Sequence, residues 1–381
     1  MEAFDMSLVQ CGARLRRSPF YEAEQRYGPK GYTVYNHTLF PIRYDELEAE
    51  YWHLLEHVTL WDVAVERQVE ITGPDAFRFT NMLTPRDLSK CAVGQGKYVL
   101  ITAPDGGIVN DPVLMRLGEN HFWLALADSD VLLYAIGLAA FLDMDVQLGE
   151  PDVSPLQIQG PKSKDVVHSL FGDHVTGLKY YWFIETELDG IPLVVTRTGW
   201  TGEVGYEVYL RDGSRGTDLW ERIMAAGLPF DIRPTGPSDI RRVEAGILNY
   251  GADMTLQNNP FEVGLDRMVD LDKEQDYMGK EALARIREAG VSRKLAGVEI
   301  GGDRLPFNDQ RWPVRDGDRT VGRISSALHS PRLEKNIGYA WVPAELSALG
   351  TKLVVETPFG EAPAIVAPMP FVDPTKEIPK S

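Results

Sequence analysis

Three features of this 381-residue chain predict an α+β fold in more than one domain. The length exceeds what one small core serves well. A strand–turn–helix unit occurs twice, which suggests a duplicated α+β module. Beyond residue 290 the chain turns to short strands separated by Gly, Pro and Asp turns, the pattern of a small all-β domain. The expected division is a mixed region of two or more subdomains over 1–290 and a β domain over 291–381.

Residues 44–58 carry helical periodicity without Gly or Pro. Val69-Glu-Ile-Thr-Gly-Pro-Asp-Ala-Phe-Arg-Phe79 reads as a strand, a Gly-Pro turn and a helix start. Leu156-Gln-Ile-Gln-Gly-Pro-Lys-Ser-Lys-Asp-Val166 repeats that plan. Asp75 and Ser163 stand where a short polar side chain helps to start a helix. Between the copies, strands are expected from Lys97, from Ile108 to Leu117 and from His121, around the turn Pro104-Asp-Gly-Gly107. Residues 129–142 read as a buried helix and 215–226 as an amphipathic one. Asp239–Leu248 places apolar side chains at 240, 243 and 247, which makes one buried helical face. A further helix is expected over Lys280–Ala289.

A composition of 44% hydrophobic and 25% charged residues is ordinary for a soluble globular protein. No stretch of about 18 apolar residues argues for a membrane span. Met1-Glu-Ala-Phe-Asp-Met-Ser7 lacks the basic and long apolar segments of a signal peptide, so the cytoplasm is the expected location. Cys11 and Cys91 sit in no partner motif and read as free thiols, with a disulfide as the alternative. A net charge of −17 argues against nucleic acid and anionic membranes as partners. His53 and His57 have the i, i+4 spacing of two metal ligands. The residues between them, Leu-Leu-Glu, are not the metalloprotease arrangement, so a helix-surface pair and no metal are expected.

The most informative stretch is Gly199-Trp-Thr-Gly-Glu-Val-Gly-Tyr-Glu-Val-Tyr209, entered from a strand-like run ending at Arg197. Three glycines permit a tight turn and close approach of a ligand. Glu203, Trp200 and Tyr206 offer an acceptor and two faces for a flat heterocycle. A plain hairpin with core aromatics reads from the same residues.

This segment resembles the GYTGE-x-G-x-E motif of folate-dependent aminomethyltransferases, the T-protein family of the glycine cleavage system. Gly106-Gly-Ile-Val-Asn-Asp-Pro-Val113 resembles that family's GG-hh-DD-hhV segment, and Asp239-Ile-Arg-Arg-Val-Glu-Ala-Gly246 its D-x-LRLEAG helix. Gly322-Arg-Ile-Ser-Ser326, Ser330-Pro, Asn336-Ile-Gly-Tyr339 and Pro370-Phe-Val372 are similar to its C-terminal domain. The resemblance implies a T-protein-like fold with a ferredoxin-like subdomain and a C-terminal β-barrel. It also implies tetrahydrofolate as the bound one-carbon acceptor. Residue by residue, it assigns Asp111 a place beside the reactive folate nitrogens, Glu203 the pterin and Arg242 either the ligand or Glu203. A helix–helix salt bridge is the equal alternative for Arg242.

The chain departs from the aminomethyltransferase pattern at Tyr32–His37, at Asn110 (which replaces the first carboxylate of the DD pair) and at Ala127–Asp130. Those segments resemble a sister group, the dimethylsulfoniopropionate demethylases. So do Glu66-Arg-Gln-Val-Glu-Ile71 and Asn249-Tyr-Gly-Ala-Asp-Met-Thr255. The expected reaction moves the methyl group of dimethylsulfoniopropionate, or of a similar small donor, to N5 of tetrahydrofolate. Asp111 is its expected catalytic group. Asn110, Tyr98, Trp182, Trp200, Glu203 and Arg242 are expected to hold the folate. Tyr32, Tyr35, Tyr206 and Arg17 are expected at the donor, because aromatic faces suit a sulfonium and a cation suits its carboxylate. Two alternatives stand: the glycine-cleavage aminomethyltransferase, and a non-catalytic folate-binding protein of iron–sulfur assembly. The sequence leaves monomer and homodimer open.

Overall fold

The computed structural model describes residues 12–381; Cys11 lies outside them. Two mainly antiparallel sheets, two two-stranded sheets and a barrel, with their helices, make up the described residues. The first sheet has five strands, in the order Gln147–Gly149, Gln68–Thr72, His121–Ala125, Val113–Gly118, Gly96–Tyr98. The second has six: Phe183–Leu188, Ile191–Thr196, Gly205–Leu210, Ser154–Gln159, Val58–Asp62 and Ile232–Pro234, of which only the last pairs in parallel. From Arg293 to Ala367 six strands close into a barrel, sealed where Gly360–Ala367 pairs with Arg293–Ile300.

The two strand–turn–helix units are present as Gln68–Thr72 with Ala76–Leu83 and as Ser154–Gln159 with Ser163–Phe171. Their shared Gly-Pro turn has a steric cause. Gly73 and Gly160 have φ of +112° and +117°, and a Cβ there would lie 2.6 Å from Asp145 O and 2.5 Å from His57 O. The helix starts differ from expectation. Asp75 accepts from Asp145 N and Ser163 donates to Val204 O, so each ties its helix to a neighbouring segment instead of capping its own N–H groups.

Two other expectations change. The helix Val131–Ala139 buries only Val131 and Ala135, while Leu133 is 67% exposed. The helix Asp239–Glu244 is shorter than its motif, and its fully buried side chains include Arg241, Arg242 and Glu244. Those charges are held by partners from other elements, as buried charges must be. Arg242 pairs with Asp253 at 2.8 Å and donates to Ser326 Oγ of the barrel at 2.9 Å. An apolar cluster including Val243, Leu248, Met254, Leu328, Ile337 and Trp341 completes this joint between the mixed region and the barrel.

His53 is buried and stacks on His57, so the pair is not a surface pair. With Asp231 the two form a group of potential metal ligands whose ligand atoms lie within 4.8 Å of one another. Lys162 Nζ lies 2.9 Å from His57 Nδ1 and Arg233 pairs with Asp231, so two cations already serve this group. Cys91 is a buried free thiol. Among the described residues no helix is long and apolar enough to cross a membrane.

Candidate active site

A cavity lies where the first sheet, the glycine-rich loop and the segment after the arginine helix meet. It encloses about 170 Å³, and beyond the shared residues Gly246, Leu248, Leu265, Arg267 and Lys376 it adjoins a groove of about 640 Å³ beside the barrel. Aromatic side chains from distant parts of the chain line it: Tyr35, Tyr98, Tyr180, Tyr181, Trp200 and Tyr250. Two carboxylates, Asp111 and Glu66, two cations, Arg267 and Lys376, and the amide of Asn249 add polar groups to its lining.

Asp111 and Pro112 make the break between the strands Ile108–Asn110 and Val113–Gly118, and Asp111 lines the cavity there. Tyr98 donates to its Oδ2 at 2.9 Å, while its buried Oδ1 has no partner among the described residues. Burial pushes the Asp111 carboxyl up to about 7, against the pull of the Tyr98 hydroxyl. The same burial, with Asp111 alongside, holds the Tyr98 hydroxyl well above its usual range, so Tyr98 acts as a donor. A carboxylate with one oxygen anchored and one free is oriented toward a ligand.

The three segments that leave the aminomethyltransferase pattern meet on one wall of this cavity. Asn36 and His37 form the two-residue turn between Gly31–Tyr35 and Thr38–Arg43, with φ of 46° and 60°, a conformation that asparagine tolerates. Asn36 Nδ2 donates to Val65 O at 2.9 Å and Ala127 O at 3.1 Å, and its backbone N–H donates to Asp128. Asn110 donates to Ala127 O and Ser129 Oγ and accepts from Ala127 N. Tyr35 and Ala127, held by this network, face the cavity.

The structure places the expected site residues unequally. Asp111, Tyr98, Trp200 and Tyr35 come together in the cavity lining. Asn110 does not line it, because its amide is consumed in shaping the Ala127 wall. Glu203 is not in the lining either; Arg241 Nε donates to its Oε1 at 2.7 Å and Arg332 stands 3.9 Å away. Arg242 serves the barrel joint, so the helix residue that holds Glu203 is Arg241. Tyr206 is fully buried in the core of the six-stranded sheet, under Arg197. Trp182 is outside the lining; its backbone bridges to Gln95, whereas the adjacent Tyr180 and Tyr181 face the cavity. Tyr32 bonds Gln25 beside Tyr21, and exposed Arg17 lies over the Tyr21 ring at 4.7 Å.

The glycine loop has a packing explanation. Cβ atoms at Gly199 and Gly205 would both collide at 2.2 Å with the side-chain amide of Gln159, which sits between them. Gly202 has φ +68° and would meet Ala245 at 2.7 Å. Glycine is therefore required by Gln159 and by the arginine helix, and of the three glycines only Gly199 also lines the cavity.

Sequence reasoning missed Glu66, Tyr250, Arg267 and Lys376 as lining residues. Glu66 and Tyr250 lie within segments already singled out for their resemblance, which was a usable signal. Arg267 and Lys376 carried none, since tertiary folding alone brings them to the cavity mouth.

Comparison with known proteins shows the family. Residues 7–273 match the GCVT N-terminal domain, and residues 293–373 match the glycine cleavage T-protein C-terminal barrel domain. Dimethylsulfoniopropionate demethylase DmdA of Ruegeria pomeroyi is 42% identical over 361 residues, covering 95% of this chain and 98% of that protein. The aminomethyltransferase of Bacillus subtilis is 31% identical, covering 94% and 99%. That of Symbiobacterium thermophilum is 32% identical, covering 92% and 98%. The crystal structure of aminomethyltransferase T from Bartonella henselae superposes with a TM-score of 0.85 at 23% identity, covering 94% and 98%, and shares the fold. Fold and relatives define an enzyme, a transferase of methyl or aminomethyl groups. The chain belongs to the glycine cleavage T-protein family.

Proposed function

We propose that this enzyme demethylates dimethylsulfoniopropionate, passing the methyl group to N5 of tetrahydrofolate and releasing methylmercaptopropionate. The observation that carries the reading is the cavity wall at Tyr35 and Ala127, braced from behind by Asn36, Asn110 and Ser129. The segments that resemble the demethylases are the ones that shape the site. The 42% identity to the Ruegeria pomeroyi demethylase, against 30–32% for the aminomethyltransferases, supports it.

The cavity suits both reactants. Asp111 Oδ1, buried and without a donor among the described residues, can accept from a ligand N–H, and flat aromatic walls suit a pterin. Those same aromatic faces attract a sulfonium, at about 0.5–2 kcal/mol per good contact. Arg267 and Lys376 suit the donor's carboxylate better than Arg17, which is engaged with Tyr21.

Tetrahydrofolate supplies an uncharged N5 nucleophile; the N5–methyl bond forms as the C–S bond breaks, and its electron pair returns to sulfur as a neutral thioether. Alignment and exclusion of water are then the main demands on the protein. Asp111 stabilises the positive charge that develops at N5 and afterwards takes its proton, with Tyr98 fixing its orientation. No covalent enzyme intermediate is required.

Purified protein incubated with both reactants should yield 5-methyl-tetrahydrofolate and methylmercaptopropionate in equal amounts, read by chromatography. Asp111→Ala should lower kcat by about 10²-fold or more with the fold intact. Turnover of an aminomethyl-lipoyl carrier instead of the sulfonium would overturn the reading.

A further inference from the structure

Glu66 has no role in the reaction as derived so far, yet it is the second carboxylate in the cavity. It leaves the strand Val58–Asp62 through a short connection and projects into the space that Asp111 also borders. Asp111 borders the same space and Glu207 adds a second negative field, and among the described residues no side chain donates to the Glu66 carboxylate. Glu207 differs, because Thr198, Tyr209 and Gln157 donate to its carboxylate. Burial together with these two acids disfavours a charge on Glu66 until a cation arrives.

We propose that Glu66 is the counter-charge for the cationic methyl donor and sets the preference for a sulfonium over its neutral thioether product. The inference rests on the demethylase reading for the identity of the cation. The neutral N–H groups of a pterin would satisfy a carboxylate's hydrogen-bonding capacity, but they would leave two adjacent acids uncompensated. A sulfonium removes that conflict and needs no hydrogen bond, only a nearby negative charge and aromatic faces, which Tyr35 and Trp200 provide. The arrangement also favours product release. Once the methyl group has left, the thioether carries no charge and loses its attraction to Glu66.

Calorimetric titration of the full chain, without tetrahydrofolate so that nothing turns over, tests this directly. The wild type should bind dimethylsulfoniopropionate at least about tenfold more tightly than methylmercaptopropionate. Glu66→Gln, which keeps shape and removes charge, should erase that preference, leaving thioether and tetrahydrofolate binding unchanged. Glu66→Asp should retain part of it. In the steady state Glu66→Gln should raise KM for the sulfonium without lowering kcat, because the attraction is made in the ground state. A preference that persists in Glu66→Gln, a wild type that binds both ligands equally, or a variant that loses only tetrahydrofolate would each overturn the assignment. Failure of the demethylase reading is separable: the wild type would then prefer the sulfonium in the titration yet form no 5-methyl-tetrahydrofolate.

Discussion

Asp111 concentrates the site's chemistry in one residue. Its carboxyl is held at about 7 by burial, so the ionised form dominates only above that value. As ionised Asp111 is the active form, kcat/KM should fall about tenfold per pH unit below pH 7 and level off above it. Asp111→Asn should give a low, flat profile, since the amide has no charge to lose. The same shift has a cost in stability. The folded-state value lies above the ordinary 3.8, so the folded protein is relatively favoured below that pH and loses the contribution as pH rises toward 7. Asp111→Asn should therefore raise Tm at pH 8, measured by calorimetry, while it removes activity; a lower Tm would contradict the burial argument. Asp111, Tyr98, Trp200 and Tyr35, expected together from the resemblance and from aromatic chemistry, do line one cavity. Glu203 and Arg242 lie outside the cavity lining, and an Arg-Arg pair on a short helix cannot reveal from sequence which guanidinium faces which neighbour.

Among the elements, the short helix Asp239–Glu244 does the most connecting. Arg241 faces the glycine loop through Glu203 and Gly202 O, while Arg242 faces Asp253 and the barrel serine Ser326. Removing one member of such a buried pair leaves the other charge uncompensated. Asp253→Ala should cost about 3–5 kcal/mol in chemical unfolding, whereas an exposed pair such as Arg285 with Glu281 should cost at most about 1 kcal/mol. The helix existed in the sequence as a motif, but its apolar period suggested a greasy face. The ion pairs overrode that period, because the partners come from elements far away in the chain. The strand–turn–helix repeat was fully legible, since Gly-Pro at one fixed offset reports a local backbone requirement.

Across the whole molecule, the barrel and the mixed region share a buried cluster instead of meeting at a wet surface. Val243, Leu248 and Met254 pack against Leu328, Ile337 and Trp341, and Trp341 Nε1 donates to Asp253 O at 2.9 Å. The expected boundary at 290 falls between the helix Lys280–Ala289 and the strand Arg293–Ile300. We propose that the two regions are structurally distinct yet thermodynamically one unit. Calorimetry should record a single cooperative unfolding transition, and a chain ending at residue 290 should aggregate when it exposes its half of the cluster. Two well-separated transitions would contradict the joint.

The sequence alone determined the α+β class, the change to all-β structure after 290, the repeated turn and the family, because each rests on local periodicity, turn chemistry or an ordered set of motifs. Only the tertiary structure decided that Asn36, Asn110 and Ala127 build one wall and that Glu66 enters the cavity beside Asp111. It also assigned Arg241, not Arg242, to Glu203. These are relations between residues distant in the chain, fixed by how sheets, loop and barrel pack.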